Sequence, residues 1–241
     1  MVHTNVRNSL HSLQPVPFLR LQAWLSPIFP TGSYSYSHGL EWAVQEGAVS
    51  DRVSLVDWLG ADLRYGSGRN DAIFFHEAWS SAALCDQPRL LEIAELAAAF
   101  RGTSELALES AQQGTANHAT LSHVWPDSFL NEVAQTLVNH QIPLSVALVL
   151  GMRCAKQGIP LAFALPAFLQ TYVANFVTAG VRLIPLGQTD GQVAIAALED
   201  TVLATSEEAA TATIHDLGSA AFMVDLASMS HEIQYTRLFR S

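Results

Sequence analysis

Nine histidines are the side chains most able to do chemistry in this chain, and their spacing speaks against the simplest metal sites. His118 and His123 lie five apart, which on a helix puts them on different faces, unlike the i, i+4 pair that grips a metal. His76-Glu77 and His231-Glu232 have no second histidine four positions on, so neither forms a zinc-hydrolase helix motif. No Gly-x-Ser-x-Gly elbow occurs, and the Ser, His and Asp residues show no spacing that assembles a triad. Eleven of the twelve bases are arginine, and the only lysine, Lys156, sits in Cys154-Ala155-Lys156-Gln157. A phosphate loop of the Gly-x-x-x-x-Gly-Lys type is therefore absent, and lysine-based covalent catalysis has one candidate in an unsupportive setting. Cys85 and Cys154 are too few for a thiolate zinc site or a disulfide framework; their apolar and small neighbours suggest buried free thiols. A helical enzyme or metal carrier built from scattered histidines stays open as a rival.

Twenty-two carboxylates give a formal net charge of −10, and clustered cations for a nucleic-acid surface are missing. With 14% charged residues and a mean hydropathy of +0.21, the chain is built to bury a core. The first twenty residues lack the apolar core of a signal peptide, so a cytoplasmic protein is expected. Residues 157–181 carry no charge over 25 positions, long enough to span a bilayer. Pro160, Pro166, Gln170, Asn175 and Thr178 interrupt them, however, and no aromatic or basic belt flanks them. A helix buried in a bundle is the expectation, with no membrane partner.

The elements that must position any site are helical. Leu55, Leu59 and Leu63 form an i, i+4 stripe, and Leu90, Ile93, Ala94, Ala97 and Phe100 another. Asp86 with Pro88, Gly102-Thr103 and Pro126-Asp127 read as helix starts. A helix opened by Pro143 runs over 144–157 and closes at Gly158. The longest covers 161–183, and an Ala-rich helix follows Thr189-Asp190 to about Ala204. The expectation is all-α: a single-domain bundle of roughly nine or ten helices over 18–229. A loose N-terminal tail (1–17) and a C-terminal docking tail (230–241) flank it.

Three segments look unlike connecting filler. Ser26 through Glu41 crowds two prolines, Gly32, Tyr34, Tyr36, His38 and several hydroxyls into one loop. That density suits an ordered loop touched by another surface, although an ordinary interhelical turn is the plainer alternative. Val181-Arg182-Leu183-Ile184-Pro185-Leu186-Gly187-Gln188-Thr189-Asp190-Gly191-Gln192 puts an arginine at a helix end and then a polar turn; a structural corner explains it as well. Ser230 to Ser241 carries His231, Glu232, Gln234, Tyr235, Arg237, Phe239 and Arg240, a composition of interface anchors, although ends of chains often fray.

Taken together, these segments resemble the UreF family of urease accessory proteins. Pro30 to Glu41 is similar to the family's proline-flanked opening, 181–192 to its central signature, and Asp216-Leu217-Gly218-Ser219 with His231 to Ser241 to its C-terminal pattern. The matches run in order from about residue 20 to the end. Ser33 stands where a second glycine is common, harmless if that backbone has negative φ. Glu105 to Gly114 replaces a more charge-rich family stretch, which puts charged partner contacts there in doubt. The resemblance implies an all-helical homodimer without catalysis of its own. It would join UreD (UreH in some organisms) and recruit the GTPase UreG, whose hydrolysis it would regulate. Nickel delivery to the urease apoprotein and GTP chemistry would belong to that complex, with no cofactor or metal bound by this chain alone. Tyr34, Tyr36, His38, Glu41, Arg182, Gln188, Asp190 and the seven tail residues named above are the expected partner contacts.

Overall fold

The computed structural model describes residues 13–241. Among them are twelve α-helices, two short 3-10 turns and no strand. In chain order the helices are α1 (Pro15–Trp24), α2 (Leu40–Gln45), α3 (Arg52–Tyr65), α4 (Ser67–Ala83), α5 (Gln87–Ala99), α6 (Ser104–Val124), α7 (Ser128–Asn139), α8 (Val146–Lys156), α9 (Leu161–Leu183), α10 (Gln188–Ala197), α11 (Glu199–Ala209) and α12 (Phe222–His231). The count exceeds nine or ten because the short α2 is separate and the Ala-rich helix breaks at Leu198, which ends α10 and starts α11. The N-terminal tail expected over 1–17 is also revised: Pro15 to Pro17 belong to α1, where a proline in the first turn gives up no helical N–H bond. Residues 1–12 lie outside the described residues.

The caps follow local chemistry. The side chains of Asp86, Thr103, Asp127 and Ser145 each accept a backbone N–H from the first turn of α5, α6, α7 and α8. Ser145 rather than Pro143 therefore sets the start of α8. Gly158 (φ +66°) ends that helix and α9 matches the expected 161–183.

Leu55, Leu59 and Leu63 are fully buried, as are Leu90, Ile93 and Ala94. Helix α4 packs most extensively against α8, where a Cβ at Gly151 would stand 2.5 Å from the Phe75 carbonyl oxygen. Helix α9 is long and apolar enough to cross a membrane by length and composition, and it packs Leu165, Phe168, Leu169, Val173, Phe176 and Val177 into the core. Buried Arg153 of α8 donates to the Trp125 carbonyl at 2.6 Å, tying down the end of α6. Cys154 is buried and its thiol is pushed up by burial, but Cys85 is exposed, against expectation. It sits just past the end of α4 with φ +55°, in a surface helix-termination turn. Lys156 lies over the Phe129 ring and donates to Cys85 Sγ at 3.3 Å.

Candidate partner-docking site

The first loop is shaped by two glycines in the left-handed region, Gly32 (φ +74°) and Gly39 (φ +78°). At Gly39 any Cβ would fall 2.4 Å from the Ser228 backbone nitrogen, so only glycine lets the loop press on α12. Ser33 is not among the residues with positive φ, so serine there carries no strain. His38 is, at φ +53°, an unfavourable backbone for a side chain of its size. What holds it is the Glu109 carboxylate 2.6 Å from Nε2 and edge contacts with the Tyr172 and Phe176 rings. Burial lowers the His38 pKa, but the charge and hydrogen bond of Glu109, helped by Asp62 and Asp71, outweigh it and raise the value. Next to it Tyr172 donates to Asp62 Oδ2 at 2.6 Å, and Asp62 accepts the Ser67 N–H that opens α4.

The C-terminal tail folds back onto this loop. Ser37 N–H donates to the Ser241 carbonyl at 2.7 Å and Arg240 N–H to the Ser35 carbonyl at 2.8 Å. Glu41, in the first turn of α2, accepts the backbone N–H groups of Leu238 (2.6 Å) and Phe239 (2.9 Å). His231, wholly buried, bridges Glu105 (2.7 Å at Nδ1) and Glu41 (3.5 Å at Nε2). Arg237 pairs with Glu105, and Ser241 Oγ donates to Glu109 at 2.7 Å. Glu232 accepts the Ser104 N–H and hydroxyl at the start of α6, bonds that lower its pKa. Phe239 is buried beneath the Arg182 guanidinium, 4.4 Å from the ring centre, while Arg182 Nη1 donates to the Tyr34 carbonyl. Gln234 donates to Gln45, and Tyr36 donates to Gln112 of α6 at 2.6 Å.

Thus Tyr34, Tyr36, His38, Glu41, Arg182, His231, Glu232, Gln234, Arg237, Phe239 and Arg240 come together at one junction. Gln188 and Asp190 do not join it. Asp190 accepts from Arg52 of α3 at 2.9 Å and from Gly187 N–H, closing the start of α10; Gln188 is exposed beside it. Tyr34, Tyr235 and the Arg240 side chain point outward, Tyr235 being fully exposed. Among the described residues no three His, Cys, Asp or Glu side chains converge as metal ligands.

The family model described as UreF matches residues 49–199. The urease accessory protein UreF of Rhodopseudomonas palustris strain BisB5 is 45% identical over 232 residues, covering 96% of this chain and 94% of the relative. This chain belongs to the UreF family. The UreF of Bradyrhizobium sp. strain ORS 278 is 47% identical over 222 residues (92% of this chain, 91% of the relative), and that of Bradyrhizobium diazoefficiens is 45% identical over 222. The pairwise likenesses reach well beyond the family-model region, which stops before the tail.

Two anchors of this UreF site went unread in the sequence. Glu105 and Glu109 sit in the very stretch that departs from the family's charge pattern, and both hold the tail. Their i, i+4 spacing puts both on one face of α6 but names no partner. The second is the outer face of α12. The inward side is small (Val224, Ala227, Ser228), whereas Phe222, Met223, Leu226 and Met229 are exposed, and Ile233 and Tyr235 extend the apolar stripe. A 3.6 period was present there, but periodicity alone does not say which of two apolar faces turns inward.

Proposed function

We propose that this UreF-family chain is a non-catalytic assembly factor that joins UreD/UreH and recruits the GTPase UreG, in a cytoplasmic complex that delivers nickel to the urease apoprotein. Nickel and GTP are handled by that assembly, the chain acts as a homodimer within it, and its own contribution includes an influence on GTP hydrolysis by UreG. One observation supports this most: the first loop, Arg182 of the central segment and the C-terminal tail form a single ordered junction, held by internal bonds, which projects Tyr34, Tyr235 and Arg240, with an uncovered apolar stripe on the adjoining α12. Large exposed apolar patches rimmed by polar groups mark protein-binding surfaces, and aromatic and arginine side chains are the usual anchors. An ordered junction also presents its anchors without the entropy loss of ordering a free tail.

The test is co-purification with UreD and UreG. Because His231 ends α12 and bridges Glu41 and Glu105, the informative truncation removes residues 237–241 rather than the whole 230–241 segment. That truncated protein should keep its helical content and lose the partner complex. Retained binding to both partners together with urease activation would sink the proposal. Nickel titration of the isolated chain separates the rival carrier role: tight stoichiometric binding lost on changing His118 and His123 would favour it.

A further inference from the structure

The chain's one lysine and its one exposed cysteine meet. Lys156 closes α8 and Cys85 follows α4, 71 positions away in sequence, yet Lys156 Nζ lies 3.3 Å from Cys85 Sγ. Each is placed by its surroundings. Cys85 takes a left-handed backbone (φ +55°) in the turn between α4 and α5, while Lys156 lies over the Phe129 ring of α7, 5.0 Å from its centre. Among the described residues no carboxylate pairs with Lys156, so its amine is not committed to an ion pair. The sulfur is open to solvent, and the neighbouring Leu84 is exposed as well, which leaves room for a reagent to approach.

Thiols and amines divide the labour of acyl transfer. A thiolate exchanges readily with thioesters, whereas an amine gives the more stable amide but captures a dilute thioester slowly. Once an acyl group sits on Sγ, rotation about the Cβ–Sγ bond can bring its carbonyl carbon to about 3–3.5 Å from Nζ, and a step between two molecules becomes one within a single molecule. We propose that Cys85 and Lys156 form an acyl-acceptor site for small thioesters, in which Cys85 takes the acyl group and passes it to Lys156. In the first step the Cys85 sulfur attacks the thioester carbonyl carbon; the new S–C bond forms, the donor's C–S bond breaks, and the donor leaves as its thiol with the Cys85 proton. In the second the Lys156 amine attacks the same carbon; the N–C bond forms, the Cys85 S–C bond breaks, and the amine proton returns to the sulfur. The product is an acylated lysine and a free cysteine, and the cation over Phe129 is gone. Neither residue belongs to the junction, so this reading stands independently of the assembly role.

The probe is N,S-diacetylcysteamine, a small uncharged acetyl thioester, incubated with the folded full chain in mildly alkaline buffer. Mass spectrometry of the peptides carrying residues 85 and 156 is the readout. The expected product is a hydroxylamine-resistant acetyl amide on Lys156. Cys85→Ala should slow its formation about tenfold or more, because the intramolecular step is lost. Capping Cys85 on the unmodified chain with methyl methanethiosulfonate, which adds only a methylthio group, should do the same, buried Cys154 being spared. Lys156→Arg should instead leave the acetyl group on Cys85 as a hydroxylamine-labile thioester. Equal acetylation of Lys156 with and without a free Cys85 thiol would overturn the proposal, as would an acetyl group on neither residue, or no thioester on Cys85 in Lys156→Arg. Should a variant fail to fold, the capped and uncapped forms of the unmodified chain decide alone.

Discussion

Glu41 is the residue on which docking of the tail depends most. It receives two backbone N–H bonds, from Leu238 and Phe239, and lies within reach of the buried His231. Hydrogen bonds to a carboxylate contribute about 1.5–3 kcal/mol each, but the tail amides regain water when released. Glu41→Ala should therefore weaken tail docking by about 2–3 kcal/mol, a shift of roughly 30- to 150-fold in the docked-to-released ratio. Glu41→Gln keeps one acceptor oxygen and should fall between the two. The assay is native-state amide exchange read at Arg240, whose N–H bonds to the Ser35 carbonyl and makes no contact with Glu41. If the tail moves as a unit, Arg240 loses protection in proportion to the weakened docking, while amides inside α4 and α8 keep theirs. Unchanged exchange at Arg240 in folded Glu41→Ala would refute the reasoning, because the tail would then be held without this carboxylate.

Three further outcomes follow from the same junction. Gly39→Ala combines left-handed backbone with a Cβ 2.4 Å from the Ser228 nitrogen; it should cost about 3 kcal/mol or more, lowering Tm by roughly 6–12 °C in a thermal melt. His38 has its folded-state pKa raised above 6.5, so the stability it contributes with Glu109 is fully present below that unfolded value and is lost as pH rises through the folded one. The stability gap between the native chain and His38→Asn, from denaturant unfolding, should accordingly shrink as pH rises above 6.5; a gap that widens would overturn the assignment. Tyr235→Ala should leave the unfolding free energy within about 0.5 kcal/mol, since the side chain is fully exposed, while weakening partner binding roughly thirtyfold in a surface-binding assay.

What the sequence discloses is what local chemistry determines. The Leu55–Leu59–Leu63 stripe, the Asp86, Thr103 and Asp127 caps and the Gly158 stop each depend on residues within a turn of one another. Where local residues decide nothing, the sequence is silent: Leu198 breaks the α10–α11 run without a glycine or proline to announce it, and Cys85 takes a left-handed turn that its neighbours do not demand. The junction depends instead on pairs far apart in the chain. His231 meets Glu105 across 126 positions and Ser241 meets Glu109 across 132. Nothing in the spacing of a helix reveals such partners, so Glu105 and Glu109 read as ordinary members of α6. The three motif segments could be singled out by composition, but the meeting of the first loop and the tail with Arg182 is a property of the packing of α2, α6, α9 and α12.

Cations are scarce in this chain, and the packing uses nearly all of them internally. Arg52, Arg69, Arg89, Arg101 and Arg237 enter ion pairs, Arg20 and Arg64 bond to side chains, and Arg153 and Arg182 bond to carbonyls. Among the described arginines only Arg240 has a guanidinium without a partner, and it projects from a tail that its own backbone pins to Ser35. Arg237 and Arg240, three positions apart, should therefore fail in opposite ways. Arg237→Ala strips a partner from Glu105 and should raise amide exchange along residues 238–240. Its effect on partner binding would then follow from the released tail. Arg240→Ala should leave exchange and Tm unchanged and still lower partner affinity, by an amount that shrinks as salt is raised, because the lost contact is an exposed charge. Equal effects of the two substitutions on tail exchange would contradict this division, as would a salt-independent loss for Arg240→Ala.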